Sequence, residues 1–197
     1  MPKWQFVRYN MKDLRIDGEK VYLRPVTLSD ATEEYVNWLN DKEVNQYLES
    51  RFTRYTLDNV KDYIKKASAD PKYLFLAIIR KDNNKHIGNI KLGPIDWHHK
   101  FSNLGIMIGD KDSWGKGYAT EAERIISDYA LDVLKLHKII CGFYADNLGS
   151  LKSILRAGFH IEGVLKNQYL SKGGYVDAIL IAKFSKENQA DKQHDSK

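Results

Sequence analysis

The sequence predicts an α+β fold, in which a central mixed, mostly antiparallel sheet of about six to seven strands is flanked by about four helices. Three observations support this prediction. Apolar residues follow mainly helical spacing before residue 70 and strand patterns directly after it. A glycine loop at residues 115–117 joins a strand pattern to a long helical pattern. The order is strand, helices, three antiparallel strands, helix, strand, helix and two strands.

The first seventy residues hold one strand and the first helices. A strand over residues 21–26 is followed by a helix for which Ser29 and Asp30 offer N-caps. A short helical segment over residues 44–48 precedes a loop. Thr56 then caps another amphipathic helix, which ends at an Asp-Pro pair.

The period changes after residue 72. Residues 73–80 are almost continuously apolar, which is typical of a strand buried on both faces. A turn leads to alternating residues 86–92, and a Gly-Pro pair and a polar stretch separate these from a strand over 103–108. The glycine loop then opens a helix over 118–134.

The last part of the chain alternates again. Strands are predicted over 138–144 and 176–183, a helix over 147–157, and a further strand starting at residue 159. The C-terminal strand is expected at an exposed edge, where a homodimer could pair. We therefore expect an N-terminal extension (1–18), one domain (19–185) and a disordered polar tail (186–197).

Composition narrows the classes of function. The chain has 197 residues, of which 43% are hydrophobic and 29% charged, and no apolar run approaches the roughly 20 residues of a membrane span. Its single cysteine, Cys141, lies in an apolar run, which predicts a buried thiol, excludes internal disulfides and favours a cytoplasmic location. The net charge of +5 favours an anionic ligand. The basic residues are scattered, so neither a nucleic acid nor a membrane partner is expected.

The most informative motif is Asp-Ser-Trp-Gly-Lys-Gly-Tyr-Ala-Thr-Glu-Ala at residues 112–122. Gly115 and Gly117 flank Lys116 just before a helix, so free backbone N–H groups and the positive end of the helix dipole converge on one point. This arrangement suits phosphate, and in particular pyrophosphate. It is neither a P-loop nor a dinucleotide fingerprint. On its own, the motif leaves open a plain turn between strand and helix.

Two signatures together resemble the GNAT superfamily of acetyl-CoA-dependent N-acetyltransferases, over residues 19–184. Residues 114–122 are similar to the pyrophosphate loop of the subgroup that contains the ribosomal-protein N-terminal acetyltransferases. Asn147-Leu148-Gly149-Ser150, with Gly158-Phe159 and Glu162-Gly163, is similar to that subgroup's second signature. Two positions depart from the superfamily pattern: Asp112 stands where Arg or Gln begins the loop motif, and Ile154 replaces a tyrosine that serves as general acid.

The resemblance implies acetyl-CoA as cosubstrate and no metal. The pantetheine arm would lie along residues 105–108 like an added strand, and the thioester carbonyl would accept a hydrogen bond from a main-chain N–H of Met107 or Ile108. Asn147 would bind the pantetheine amide, and Ser150 would protonate the departing sulfur. The implied cofactor-binding residues are Ile106, Met107, Ile108, Trp114, Gly115, Lys116, Gly117, Tyr118, Ala119, Thr120, Asn147, Ser150 and Lys152.

The general base is less defined. His98 and His99 precede the strand over 103–108, where the chain would border the acceptor cleft, and histidine has a suitable pKa for this task. An exposed histidine pair in a hairpin turn is the alternative. Tyr169 stands near the segment in which some relatives carry an acid.

The acceptor is expected to be selected by the first two helices, their loop and the last hairpin, which form a cationic, aromatic mouth. The members of this mouth are Arg24, Arg51, Arg54, Tyr47, Phe52 and Tyr55. Trp97 is also expected to bind the acceptor. Such a mouth would suit a phosphate-bearing acceptor such as a nucleotide-linked amino sugar. Acetylation of a protein N-terminus (alanine or serine) is the rival interpretation, and an acyl-CoA-binding module without turnover is a third.

Overall fold

A computed structural model describes residues 13–171 and 173–186 of the chain. Its strands are β1 (Ile16–Asp17), β2 (Val21–Pro25), β3 (Leu74–Arg80), β4 (His86–Asp96), β5 (Phe101–Ile108), β6 (Lys138–Tyr144), β7 (His160–Ser171) and β8 (Gly174–Phe184). Its α-helices are α1 (Glu33–Asn40), α2 (Leu57–Ala69), α3 (Tyr118–Asp128) and α4 (Leu148–Arg156), and a π turn (Tyr129–Val133) extends α3.

Within the described residues, the strands form one sheet in the order β1-β2-β3-β4-β5-β6-β8-β7. All neighbours are antiparallel except β5 and β6. The predicted mixed, mostly antiparallel sheet with four helices is confirmed. The described part has eight strands, because residues 16–17, expected in the N-terminal extension, pair with β2. Residues 1–12 of that extension and 187–197 of the expected polar tail lie outside the described residues.

The sheet separates two apolar layers, and β3 shows why. Its seven residues alternate between the layers, as the two-residue period of a strand requires. Leu74, Leu76 and Ile78 pack with residues of α3 and α4, whereas Phe75, Ala77 and Ile79 pack with residues of α1 and α2. The sequence prediction of a strand buried on both faces is confirmed.

The predictions for the N-cap of the first helix and for residues 44–52 are wrong. The N-cap of α1 is Thr32, whose hydroxyl accepts a hydrogen bond from the Tyr35 N–H at 3.2 Å. Asp30 lies instead in a 3₁₀ turn (Leu28–Asp30) and pairs with Arg24. Residues 44–48 form turns rather than the predicted helical segment, and a 3₁₀ turn (Glu49–Phe52) stands where a loop was expected.

Strands run further than the sequence patterns predict. β4 continues through a register shift to Asp96, which places the turn with His98 and His99 at the far end of the sheet. β8, the C-terminal strand, lies between β6 and β7, so the expectation that it forms an exposed edge is wrong. Within the described residues, the two edge strands are β1 and β7.

The sheet opens between β5 and β6. Their parallel pairing covers only three positions, from Phe101↔Lys138 to Asn103↔Ile140. Beyond that point, β5 still pairs with β4 and β6 with β8, but the two strands have no mutual register. The gap at their carboxyl ends contains the cavity described below.

In the described part of the chain, none of the helices combines the length and the hydropathy that a bilayer crossing requires.

Candidate active site

The glycine loop has the conformation that its sequence predicts. Gly115 and Gly117 have positive φ angles of 72° and 84°, and Gly117 is the N-cap of α3. A Cβ placed on Gly115 would meet no atom within 4 Å. Packing therefore does not demand glycine at residue 115, whereas the left-handed backbone does. The loop leaves open space in front of the first turn of α3, where a phosphate is favoured.

A cleft of about 440 Å³ runs from this loop between β5 and α4. Twelve of the thirteen predicted cofactor-binding residues line it, and Lys116 is the exception. Lys116 is exposed at the loop, and its carbonyl accepts a hydrogen bond from Lys20 Nζ at 3.4 Å. Arg156, which the sequence reading missed, lines the cleft together with Lys152. One turn of helix separates them, so helical periodicity could have indicated both.

The end of β5 presents backbone groups to the cleft. A Cβ on Gly88 would collide with the carbonyl oxygen of Met107, so this oxygen is turned toward β4. In a trans peptide, the next N–H points the opposite way, which directs the Ile108 N–H toward the gap. The Ile108 carbonyl accepts a hydrogen bond from the Trp114 indole at 2.9 Å. Of the two predicted oxyanion donors, this geometry favours Ile108.

Asn147 and Ser150 begin α4. Asn147 is its N-cap, and its side-chain oxygen accepts a hydrogen bond from the Ser150 N–H at 3.3 Å. This use of the oxygen leaves the Asn147 amide nitrogen as the donor for a ligand. Both residues line the large cleft and a second, inner cavity. The two cavities therefore meet at the positions predicted to hold pantetheine and the leaving sulfur.

The inner cavity, of about 180 Å³, lies in the gap between β5 and β6. Its mouth is built around Tyr144, whose ring stacks on Tyr169 with 4.4 Å between centroids. The Tyr144 hydroxyl donates to Glu49 Oε1 at 2.5 Å and accepts from Arg51 Nη1 at 2.9 Å. Arg51 also donates to the carbonyl oxygen of Leu170 at 2.9 Å. Of these, the sequence analysis named Arg51 and Tyr169 but not the Glu49–Tyr144 pair.

Glu123 is the other acid that sequence reasoning missed. It lies one turn after Thr120 on the same face of α3, is fully buried, and lines both cavities. Ser153 donates to its Oε2 at 2.7 Å, while its Oε1 has no hydrogen-bond partner among the described residues. Burial raises the pKa of Glu123 to about 8, so the carboxyl group is mostly neutral at pH 7. The sequence pattern that could have identified Glu123 is an acidic residue at a helical position that faces the core.

The predicted histidine base is not at this site. His98 and His99 are exposed, and their backbone N–H groups bind Asp96 at 2.9 and 2.8 Å. They precede β5, whereas the cavities lie at its other end, about 20 Å away for six strand residues at ~3.3 Å each. Trp97 packs against the apolar core near the same turn. These three assignments are corrected: β4 extends to Asp96 and carries the turn away from the gap.

The predicted cationic mouth is not assembled either. Arg24 donates to both carboxylate oxygens of Asp30, at 2.8 and 2.6 Å, and lines neither cavity. Arg54 is exposed and also lines neither. Tyr55 packs against the apolar layer of α1 and α2. Tyr47 lines both cavities. Arg51 reaches the mouth of the inner cavity, where its guanidinium is hydrogen-bonded to Tyr144 and Leu170.

Other features of the described residues concern metals and the thiol. In residues 13–171 and 173–186, no group of three or more His, Cys, Asp or Glu side chains is placed to hold a metal ion. Cys141 is buried beside the inner cavity, and burial raises the pKa of its thiol. It is therefore a weak nucleophile.

A sheet that opens between two parallel strands, with a glycine loop and helix at the opening, defines a CoA-dependent acetyltransferase of the predicted class. The chain belongs to the GNAT acetyltransferase family: the family model described as "Acetyltransferase (GNAT) domain" matches residues 20–160. It is an acetyl-CoA-dependent N-acetyltransferase.

Similar proteins carry related names. "Probable N-acetyltransferase YjcK" of Bacillus subtilis (strain 168) is 30% identical over 178 residues, covering 85% of this chain and 95% of that protein. Spermidine N(1)-acetyltransferase of Escherichia coli (strain K12) is 28% identical over 114 residues, 58% of this chain and 60% of that protein. The crystal structure of spermidine N-acetyltransferase from Vibrio cholerae in complex with CoA and spermine has a TM-score of 0.75 at 22% identity, covering 85% and 97% of the two chains.

The residues present fit acetyl-CoA. The open glycine loop, the exposed cations Lys152 and Arg156, and the backbone of β5 follow one continuous cleft. Cβ atoms built on Gly105 and Gly149, like that on Gly115, would meet nothing within 4 Å. Gly115 and Gly149 line the cleft and Gly105 lines the inner cavity, so open space lies in front of a glycine at three positions of the two connected cavities.

Proposed function

We propose that the enzyme transfers the acetyl group directly, in a ternary complex, to a small cationic amine that occupies the inner cavity. The observation that carries this proposal is the charge of the cavity. Of the described residues that line it, two are acidic, Glu49 and Glu123, and none is a lysine or arginine. Glu123 is mostly neutral at pH 7, so the negative charge of the lining is that of Glu49. An ammonium group is attracted to such a lining, whereas a phosphate is not.

The size and the rings of the cavity support the same acceptor. A volume of about 180 Å³ lies below the roughly 300 Å³ at which pockets for drug-sized ligands begin. The stacked rings of Tyr144 and Tyr169 offer aromatic faces to a cation. The names of two similar proteins agree, since both are spermidine acetyltransferases.

The cofactor side supplies the remaining groups for direct transfer. The glycine loop and the start of α3 would hold the pyrophosphate, and Asn147 the pantetheine amide. The Ile108 N–H would stabilise the oxyanion that forms when the amine attacks the thioester carbonyl. Because both cavities meet at Asn147 and Ser150, the amine and the acetyl group would meet there without a covalent enzyme intermediate.

The amine must lose a proton before or during attack, because alkyl ammonium groups are almost fully charged at pH 7. Glu49 is placed to accept that proton. It is solvent-exposed at the mouth, and its carboxylate is oriented by the Tyr144 hydroxyl. We therefore assign the general-base role to Glu49 in place of the two histidines.

A nucleotide-linked amino sugar has less support than the sequence suggested, because it depended on Arg24, Arg51 and Arg54 acting together. Acetylation of a protein N-terminus is tested by the peptide acceptor in the following experiment.

The experiment measures thiol release from acetyl-CoA with three acceptors in parallel: spermidine, a UDP-linked 4-amino sugar and a Ser-initiated peptide. Turnover with spermidine, at a kcat/KM at least about tenfold above the other two, is the expected result. Preference for the sugar nucleotide or the peptide would overturn the acceptor proposal. Parallel lines in double-reciprocal plots would overturn direct transfer, because they indicate a covalent acetyl-enzyme.

A further inference from the structure

Glu123 lies where the two cavities join, and it has no role in the direct transfer proposed for the enzyme. It follows Thr120 by one helical turn, so it lies on the face of α3 that lines the cofactor cleft. Asn147 and Ser150, the residues assigned to pantetheine and sulfur, border the same two cavities. Glu49, by contrast, lines only the inner cavity, on the acceptor side.

The hydrogen bonds of Glu123 are incomplete. Ser153 occupies Oε2, and Ser153 is itself hydrogen-bonded to Thr120 at 2.9 Å. Oε1 is buried and has no partner among the described residues. A buried carboxyl oxygen without a partner costs stability, so retaining one at the wall of a binding cleft suggests that a ligand atom completes it.

We propose that the carboxyl group of Glu123, in place of the Ser150 hydroxyl expected from the sequence, is the acid that protonates the departing thiolate of CoA. This proposal rests on the direct transfer proposed above. The amine nitrogen bonds to the carbonyl carbon, and the C–S bond breaks with its electron pair on sulfur. The sulfur takes the carboxyl proton of Glu123. Nitrogen loses two protons: the ammonium proton leaves through Glu49 to solvent before attack, and the proton released as the amide forms replaces the one that Glu123 gave to sulfur.

The environment of Glu123 suits this role. Burial raises its pKa to about 8, close to the value of about 8.5 for an ordinary thiol, which favours proton transfer between the two groups. Two carboxyl groups that line the inner cavity, one exposed and one buried, would thus divide the base and acid roles.

Other titratable groups also face the two cavities. Cys141 of β6 and Tyr144 both have pKa values raised by burial. Further groups that line one or both cavities are the cations Lys152 and Arg156 of α4, the acids Glu43 and Glu49 between α1 and α2, and the phenols Tyr47, Tyr118 and Tyr169. The carboxyl group whose pKa moves to about 8 is Glu123.

The kinetic test uses Glu123→Gln and Ser153→Ala with spermidine as acceptor. Wild type should lose kcat above pH about 8, as Glu123 ionises. Glu123→Gln should lower kcat about 10- to 100-fold and abolish this descending limb, with KM for acetyl-CoA within about threefold. Ser153→Ala should keep the limb but move it to higher pH, because the serine hydrogen bond lowers the pKa of Glu123. An unchanged limb in Glu123→Gln overturns the proposal.

A binding test needs no acceptor and therefore separates this proposal from the previous one. Calorimetry compares CoA with desulfo-CoA. If Glu123 contacts the sulfur, wild type should prefer CoA by about three- to tenfold, and Glu123→Leu should show a ratio near one. Equal ratios in the two proteins would rule out the contact, whether or not spermidine is the acceptor.

Discussion

The carboxylate of Glu121 binds the backbone of Lys20 across the fold. Its Oε2 accepts the Lys20 N–H at 2.9 Å and the Val21 N–H at 3.2 Å, and Oε1 accepts the Glu19 N–H. Glu121 lies in the first turn of α3, directly after the glycine loop. One side chain therefore attaches the anion-binding end of the helix to the start of β2.

Loss of this attachment should weaken both the fold and the binding of acetyl-CoA. Glu121→Ala leaves three backbone N–H groups without their acceptor, so we expect a decrease of about 2–4 kcal/mol in the free energy of unfolding. Urea denaturation measures it. Glu162→Ala is the control, because the surface pair of Glu162 with Lys138 should contribute less than about 1 kcal/mol. Equal effects of the two substitutions would contradict this account.

Glycine at residue 115 should be needed for the binding of acetyl-CoA as well as for the backbone conformation of the loop. Gly115→Ala and Gly158→Ala both place a Cβ on a residue with positive φ (72° and 92°), so each should lose about 1–2 kcal/mol of stability. Only Gly115 lines the cleft. We therefore expect the KM for acetyl-CoA to rise about tenfold in Gly115→Ala alone, in steady-state assays. A similar rise of KM in Gly158→Ala would mean that backbone strain, rather than the position of Gly115 in the cleft, causes the effect.

Features set by periodicity and by one contiguous motif could be predicted from the sequence. The alternation of β3 between two apolar layers and the conformation of the glycine loop depend on neighbouring residues, which a linear pattern reports. The prediction that Ser29 and Asp30 cap α1 failed because Thr32 is an equally good N-cap two residues later, and Asp30 had a stronger partner in Arg24.

The inner cavity, where the acceptor is proposed to bind, could not be predicted from local sequence patterns. Its cavity exists because β5 and β6 separate after three paired positions, which no local pattern encodes. Glu49, Tyr144 and Glu123 come from three distant segments and meet only through that separation. Conversely, His98 and His99 look like a catalytic pair in sequence, and a longer β4 carries them away from the cavity.

The histidine pair should therefore be dispensable. We expect the double substitution His98→Gln and His99→Gln to leave kcat within about twofold, far from the loss of 100-fold or more that removal of a general base produces. The pH profile of kcat/KM for the amine should also be unchanged. A loss of the acid limb in this variant would return the base role to the turn.

Glu49 and Tyr144 should control the acceptor. Glu49→Gln removes the mouth carboxylate, and kcat/KM for the amine should fall about 10- to 100-fold. Tyr144→Phe keeps the ring on Tyr169 but removes the hydroxyl that orients Glu49, so a smaller loss of about tenfold is expected. KM for acetyl-CoA should change little in both. Glu33→Gln, an exposed acid on α1, is the control and should match wild type.

The buried carboxyl of Glu123 should make stability depend on pH in a specific direction. Its pKa rises from an ordinary 4.5 to about 8 on folding. Below pH 4.5 it is protonated in both states and has no effect. Between pH 4.5 and about 8, the unfolded chain has released a proton that the folded protein keeps, so the folded state loses up to about 1.4 kcal/mol of stability per pH unit.

Glu123→Gln removes this dependence while keeping the size of the side chain. Its stability relative to wild type should therefore rise steadily from pH 5 to pH 8, by a total of about 2–4 kcal/mol, as measured by urea denaturation at each pH. Glu162→Gln, on the surface of β7, should show a constant difference from wild type over the same range. A constant difference for Glu123→Gln as well would mean that Glu123 is already ionised in the folded protein, and a carboxylate could not supply the proton to the leaving thiolate.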